Sequence, residues 1–417
     1  MQNKVAMRMV AGIVAIIALM AGYYAFNNFA KDPDLGNFES EGMIAAIEYS
    51  REGGRVILLD SNGKKTEAPE PEKKQYDDRE VSWSADGQRV FVSSTRESNA
   101  YNVYRWNPVR ELVERRATGS RSQTAPEFSD YLAGKNDKLG LILSGGYVFE
   151  LDIRTGKTRQ VLPPVTKERM AGDVGEGIGS PLEAMYRPFG DSFRRALWGK
   201  DKSVVWAVMR NDIGEVVIVQ PIGFDPETGM PLAPREIVRG KKVGLQVLPD
   251  GRAVALVSGF QFGDPNTIPP EYIKDGRPVP PISCGIMVAS VNDQAIPSMN
   301  PIVVLPPESP ETFDEIAVSP DGKQVAVVVG QKDEKGVHTT QGMVVMALQQ
   351  GSPPMVLAQG SVSQPSWSPD GKRLVYIKTQ GDNTDIFIVN ADGSGERQLT
   401  KGGKYAFPKF SPQMADK

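Results

Sequence analysis

The sequence predicts an all-β fold, a β-propeller of about seven four-stranded blades, and three observations lead there. A tetrapeptide of the form Ser/Leu-Ala/Pro-Asp-Gly recurs as Ser84-Ala85-Asp86-Gly87, Leu248-Pro249-Asp250-Gly251, Ser319-Pro320-Asp321-Gly322 and Ser368-Pro369-Asp370-Gly371. Each copy precedes an apolar strand: Arg89-Val90-Phe91-Val92, Ala253-Val254-Ala255-Leu256, Gln324-Val325-Ala326-Val327 and Arg373-Leu374-Val375-Tyr376. The two ends of the chain carry partial, complementary copies of the same unit. Asp-Gly suits a tight hairpin because glycine takes positive φ freely and aspartate tolerates it, so one hairpin is repeated at a blade-like period.

The spacing gives the blade count. Asp321 and Asp370 lie 49 residues apart, and Asp250 and Asp321 lie 71 apart, which falls to about 46 if Phe260–Cys284 is an insertion. Asp86 and Asp250 are 164 residues apart; without the Gly-rich stretch from Pro163 to about Gly190 this is close to three steps, so Tyr147–Leu162 and Val204–Val219 supply the strands of two unmarked blades. Upstream of Asp86, Glu41-Gly42 followed by Met43-Ile44-Ala45-Ala46-Ile47 is a degenerate copy. At the other end, Phe407-Pro408-Lys409-Phe410-Ser411-Pro412 reads as the first strand of a unit without its remaining strands. Pairing of N- and C-terminal strands in one composite blade leaves no dangling edge there, giving seven blades, with six and eight as neighbouring counts.

Met9–Phe26 is an unbroken apolar or small run of 18 residues preceded by Lys4 and Arg8. At about 1.5 Å per residue it spans about 27 Å, near the minimum for a bilayer core, and the basic flank puts its N-terminal side in the cytoplasm. The organisation expected is therefore a short cytoplasmic N-terminus over 1–8, a transmembrane anchor over 9–26, a tether over 27–41, the propeller over 42–412 and a tail over 413–417. A cleaved secretory signal is the alternative, although no good small-x-small site follows the run. The localisation expected is single-pass inner membrane with the propeller outside the cytoplasm, or secretion after cleavage.

After position 31 the chain carries 45 basic and 51 acidic residues, which argues against nucleic acid as a partner. Cys284 is the only cysteine and His338 the only histidine, so neither an internal disulfide nor the usual zinc sets can form. No Gly-x-Ser-x-Gly elbow or phosphate loop is present, Gly175-Glu176-Gly177-Ile178-Gly179-Ser180 lacks the third glycine of a dinucleotide loop, and no cofactor or catalytic residue is assigned. Asp382-Asn383-Thr384-Asp385 reads as a solvated hairpin tip rather than a calcium loop. Arg110, Arg115, Arg116 and Arg121, and likewise Arg235, Arg239, Lys241 and Lys242, read as solvated faces. Trp83, Trp206, Tyr376 and Phe387 read as packing between blades.

Three loops stand out. Glu67–Asp78 reads as exposed, since burial would leave its charges unpaired. Pro163 to about Gly190 and Phe260–Cys284 are insertions, the second too rich in proline for a central strand. Long loops on a rigid scaffold often carry recognition, and the candidate partner-binding residues in and beside these two are Arg187, Arg194, Arg195, Phe260, Phe262 and Tyr272.

The stretch Gln364-Pro365-Ser366-Trp367-Ser368-Pro369-Asp370-Gly371-Lys372-Arg373-Leu374-Val375-Tyr376, then Asp385-Ile386-Phe387-Ile388-Val389-Asn390-Ala391-Asp392-Gly393, ending in Arg397-Gln398-Leu399-Thr400, resembles a blade of the TolB-type (PD40, WD40-like) propeller. Asp314–Val329 and Val81–Trp106 resemble it less closely, and the matches cover about a third of the chain. The resemblance implies a periplasmic hub that binds a lipoprotein in its central opening. The interval Phe26–Glu41 does not accommodate the α/β domain that precedes the propeller in TolB itself. The same repeat forms the gating propeller of serine oligopeptidases, whose hydrolase domain has no counterpart in these motifs. The function expected is a membrane-anchored, non-enzymatic protein-interaction scaffold of a bacterial envelope. The alternative is capture of a small ligand or cell-wall glycan at the channel mouth.

Overall fold

The computed structural model describes residues 40–412, apart from 110, 118–120, 129–138, 165–184, 200–201, 264–267 and 293–295. The expected membrane span, the C-terminal tail and most of the Gly-rich insertion lie outside these residues. Among the described residues no helix is long and apolar enough to cross a membrane.

The described part is all-β and propeller-like, built from antiparallel units. The N-terminal hairpin is β1 (Ile44–Ser50) with β2 (Gly53–Leu59), flanked by the short β3 (Lys65–Glu67). Next come β4 (Asp78–Trp83), β5 (Val90–Ser94), β6 (Asn102–Asn107) and β7 (Leu112–Ala117) in one sheet. A third sheet holds β8 (Leu139–Ser144), β9 (Tyr147–Asp152) and β10 (Thr158–Leu162), and isolated bridges Gln123↔Ser144 and Glu127↔Leu141 lay residues 123–127 along its inner side. Two four-stranded units then share a strand: β11 (Ser192–Trp198), β12 (Val204–Arg210) and β13 (Glu215–Pro221) end on the first half of β14 (Arg235–Val247). The second half of β14 pairs with β15 (Ala253–Phe260). The insertion follows, containing a two-stranded hairpin of β16 (Ile273–Lys274) and β17 (Arg277–Pro278), before β18 (Cys284–Val291) returns beside β15 and β19 (Pro297–Leu305) forms the edge. The proline-rich stretch therefore interrupts a hairpin without breaking the sheet.

Two regular units follow: β20 (Glu311–Val318), β21 (Gln324–Lys332), β22 (His338–Ala347) and β23 (Met355–Gln359), then β24 (Val362–Trp367), β25 (Arg373–Gln380), β26 (Asn383–Asn390) and β27 (Arg397–Gln398). The last strand, β28 (Tyr405–Phe410), pairs antiparallel with β1, with Ile44 opposite Phe410 and Glu48 opposite Tyr405. Ser411 Oγ donates to Ser40 Oγ at 2.7 Å beyond this pairing.

Alternating apolar residues make each sheet greasy on both faces, and burial is achieved by stacking one sheet on the next. Leu374, Tyr376 and Phe387 pack on Ala326, Val328 and Met343 of the preceding unit, while Val375, Ile377 and Ile386 on the opposite face pack on Ile44, Ile57 and Phe410. The last complete unit thus packs on the unit that combines β28 with β1. Trp206, Tyr376 and Phe387 lie in these inter-sheet cores.

The repeated turn differs in detail from a two-residue Asp-Gly hairpin. Ser84 C=O accepts the Gly87 N–H at 2.8 Å, so Ala85 and Asp86 are the central residues, and the positive φ falls on the glycine (67°) and not on the aspartate. Asp86 instead takes a 2.5 Å hydrogen bond from Ser84 Oγ and one from the Gln88 N–H. Asp321 and Asp370 repeat this with Ser319 and Ser368, both at 2.6 Å. Where Leu248 replaces the serine, its side chain is buried in an inter-sheet core instead.

Three other expectations are corrected. Asp385 is not solvated: it is buried and accepts from Thr400 Oγ1, Gln398 and the Gly402 N–H, tying β26 to the chain that leads into β28. Asp78, at the end of the loop expected to be exposed, is fully buried, where Arg96 (2.8 Å) and the Val56 N–H satisfy it. Arg239 is buried as well, held by Glu236 and the Pro188 carbonyl. In each case hydrogen-bond and ion-pair partners compensate the desolvation that was expected to keep the charge outside.

Candidate functional site

Five of the inner strands carry a bulge. Register shifts between Asp78 and Glu80, Phe193 and Arg195, Phe313 and Glu315, and Ser363 and Ser366 mark bulges in β4, β11, β20 and β24, and β28 shifts opposite Ala45 and Ile47. A bulge sets two residues against one and re-aims a side chain. Gln364 and Phe407 sit at these bulges with φ of 54° and 56°, a region that costs non-glycine residues energy and recurs at functional sites.

The re-aimed side chains bind the backbone of the neighbouring unit. Glu80 accepts the Ala125 N–H at 3.1 Å, Arg195 donates to Glu127 at 3.1 Å and to the Leu245 carbonyl at 2.6 Å, and Gln246 donates to the Ile316 carbonyl at 3.1 Å. Glu315 accepts the Gln364 N–H at 2.6 Å, Gln364 accepts the Phe407 N–H at 2.5 Å, and Trp83 donates to the Lys409 carbonyl at 3.0 Å. These bonds tie neighbouring units to one another along their inner strands, as a girdle.

Inside the girdle, Glu80, Ser82, Thr124, Glu127, Arg194 and Lys409 line a cavity of about 150 Å³ together with apolar neighbours. Burial raises the Glu127 carboxyl, but Arg195 and Lys409 outweigh it and hold the group down to about 2. Glu80 is raised, chiefly by burial and further by the Glu127 charge, against the Ala125 N–H and Lys409. Burial also raises Glu315. Two buried donors on the wall, Ser82 Oγ and Arg195 Nε, have no hydrogen-bond partner. Such a wall can take up an anionic group.

Of the six sequence candidates, Arg194 and Arg195 lie on this cavity. Arg187 is exposed in the turn at 185–189. Phe260, Phe262 and Tyr272 form a separate aromatic cluster at the base of the insertion, with ring centroids 5.4 and 5.8 Å apart in sequence. Glu80, Glu127, Gln246, Glu315, Gln364 and Lys409 were not singled out from the sequence. A signal was present: Glu80, Glu315 and Gln364 each stand six residues before the aspartate of the repeated turn. His338 begins β22, and its Nε2 lies 3.0 Å from both Thr312 Oγ1 and Asp314 Oδ1, away from the cavity wall. Among the described residues no group of three His, Cys, Asp or Glu is placed to hold a metal ion.

Comparison with known proteins bears on these repeats. A family described as the lipoprotein LpqB β-propeller domain matches residues 287–404. The Tol-Pal system protein TolB of Actinobacillus pleuropneumoniae serotype 5b (strain L20) is 34% identical over 98 residues, 23% of this chain and 21% of that protein. The chain carries TolB-like propeller repeats. The uncharacterized peptidase YuxL of Bacillus subtilis (strain 168) is 32% identical over 84 residues, 20% of this chain and 13% of that protein. In both relatives the match spans about a fifth of their length or less. A puromycin-hydrolyzing peptidase of Mycobacterium tuberculosis shares the fold, with a TM-score of 0.52 at 13% identity over 85% of this chain and 53% of that chain.

Proposed function

We propose that the TolB-like units close into a seven-bladed ring that serves as a non-enzymatic protein-interaction scaffold in a bacterial cell envelope, docking its partner over the inner-strand cavity. The anchor read over 9–26 would hold it at the inner membrane with the ring outside the cytoplasm; a cleaved signal is the alternative. The observation that carries the reading is the division of labour on the girdle: Glu80, Arg195, Glu315 and Gln364 are engaged in joining units, while Arg194 is exposed on the cavity wall. A rigid frame with an unengaged charge at its centre suits recognition. The relative named for the Tol-Pal system and the family named for a lipoprotein support an envelope setting.

Capture of a free small ligand is the second reading, favoured by the size of the cavity, about 150 Å³. A peptidase activity finds no support on this wall, which carries acids, bases and hydroxyls but no histidine or cysteine.

The test is crosslinking in intact cells, purification of the tagged full-length chain and mass spectrometry of the eluate. One reproducible envelope protein, lost on Arg194→Glu, is the expected result. Recovery of the chain alone, under conditions that preserve a known envelope complex, would overturn the scaffold reading.

A further inference from the structure

We propose that the inner-strand cavity is a carboxylate pocket and that its occupant is an acidic side chain presented by the docked partner. This rests on the docking reading and specifies its chemistry.

Charge is the first ground. Glu127 is matched by Arg195 at 3.1 Å and by the charge of Lys409, whereas Arg194 makes no side-chain hydrogen bond or ion pair among the described residues, so the wall carries three cations to two acids. The wall thus offers cations in excess of the acids that engage them. The bulge between Phe193 and Arg195 sets both arginines on the same wall, a placement that regular alternation would not give.

The unused donors are the second. Ser82 is 6% exposed, and its Oγ has no partner; Arg195 spends both terminal nitrogens on Leu245 and Glu127 while its Nε has none. Buried polar groups are almost always satisfied, so an orphan hydroxyl and an orphan guanidinium N–H on one wall need an acceptor. A carboxylate supplies two acceptor oxygens and a negative charge, and charge-assisted bonds to it are the strong kind.

Size is the third. A cavity near 150 Å³ admits about six non-hydrogen atoms, the scale of benzene. A glutamate or aspartate side chain fits within that volume, and a hexose ring with its hydroxyls does not.

Calorimetry on the detergent-solubilised full-length chain, with three acetylated pentapeptides and propionate as probes, tests this. The peptides are acetyl-Gly-Ser-Glu-Ser-Gly-amide, its Gln counterpart, and the Gln peptide with a free C-terminal carboxylate. The glutamyl peptide is expected to bind saturably and at least about tenfold more tightly than the other probes, the cost expected for losing a charged hydrogen-bond partner. Ser82→Ala is expected to weaken it about tenfold without lowering the melting midpoint, since it removes an unsatisfied hydroxyl from the fold. Equal binding of the Glu and Gln peptides, or unchanged affinity in both Ser82→Ala and Arg194→Ala, would overturn the pocket. Tighter binding of propionate or of the free C-terminus would overturn the side-chain occupant. Retention of the cellular partner by these two variants would end this inference and leave the scaffold reading standing. Peptide binding with no cellular partner would leave a carboxylate pocket but overturn the partner-borne occupant together with the scaffold reading.

Discussion

Phe407 donates its backbone N–H to the side-chain oxygen of Gln364 at 2.5 Å, and both residues hold left-handed φ values at bulges of neighbouring inner strands. The bond joins the last complete unit to the unit assembled from both chain ends. The strain at each residue is compensated by its partner, so the pair locks the junction between these two units.

Two glycines with the same backbone angle report on that junction. Gly87 and Gly371 both have φ of 67°, but a Cβ on Gly87 would meet Ser411 Oγ at 2.7 Å and Ser40 Oγ at 2.8 Å, whereas Gly371 faces open space. Gly371→Ala is expected to cost about 1–2 kcal/mol for the left-handed conformation alone. Gly87→Ala is expected to cost a further 1–3 kcal/mol, roughly, from overpacking against both chain ends. Urea midpoints of the two variants check this, and equal costs would contradict it.

The tryptophan before the repeated turn is a tie between units. Trp367 donates its indole N–H to the Ala317 carbonyl at 2.8 Å, and Trp83 does the same to the Lys409 carbonyl at 3.0 Å. Trp367→Phe keeps most of the apolar burial and leaves that buried carbonyl unpaired, a loss of about 1–3 kcal/mol by denaturant titration.

The fold was legible because glycine and tryptophan mark positions with no alternative chemistry: Gly87, Gly251, Gly322 and Gly371 all take positive φ, and the tryptophans close inter-sheet contacts. The cavity was legible only in part: Arg194 and Arg195 were among the sequence candidates, but the rest of its wall is set by bulges, and a bulge is a matter of register that hydrophobic alternation does not encode. Asp385 and Asp78 escaped for a related reason: their partners, Thr400 and Arg96, lie 15 and 18 residues away, so no local pattern reveals the compensation.

Glu80 and Glu127 are expected to respond to pH in opposite senses. Glu127 is held at about 2 against an unfolded value of about 4.3, so its stabilisation is full above about 4.3 and is lost as pH falls through about 2. Glu80 is raised, so its contribution is full below about 4.3 and is lost as pH rises through its folded value. Glu127→Gln should therefore lower the urea midpoint at pH 7 and flatten its acid dependence. Glu80→Gln should raise the midpoint at pH 7 and leave it unchanged near pH 3.

The aromatic cluster at the insertion is expected to hold the loop rather than the fold. Tyr272→Ala removes the 5.8 Å contact with Phe262, and trypsin should then cut faster after Lys274, with the melting midpoint unchanged. A lowered midpoint with no change in cleavage would assign the cluster to the core.

A photo-activated crosslinking amino acid placed at position 194 in living cells, with position 299 on the exposed edge strand β19 as comparison, tests the central claim most directly. The account predicts a single envelope adduct from position 194 and none from 299. An adduct from 299 with none from 194 would contradict it, moving recognition from the cavity to the outer strands.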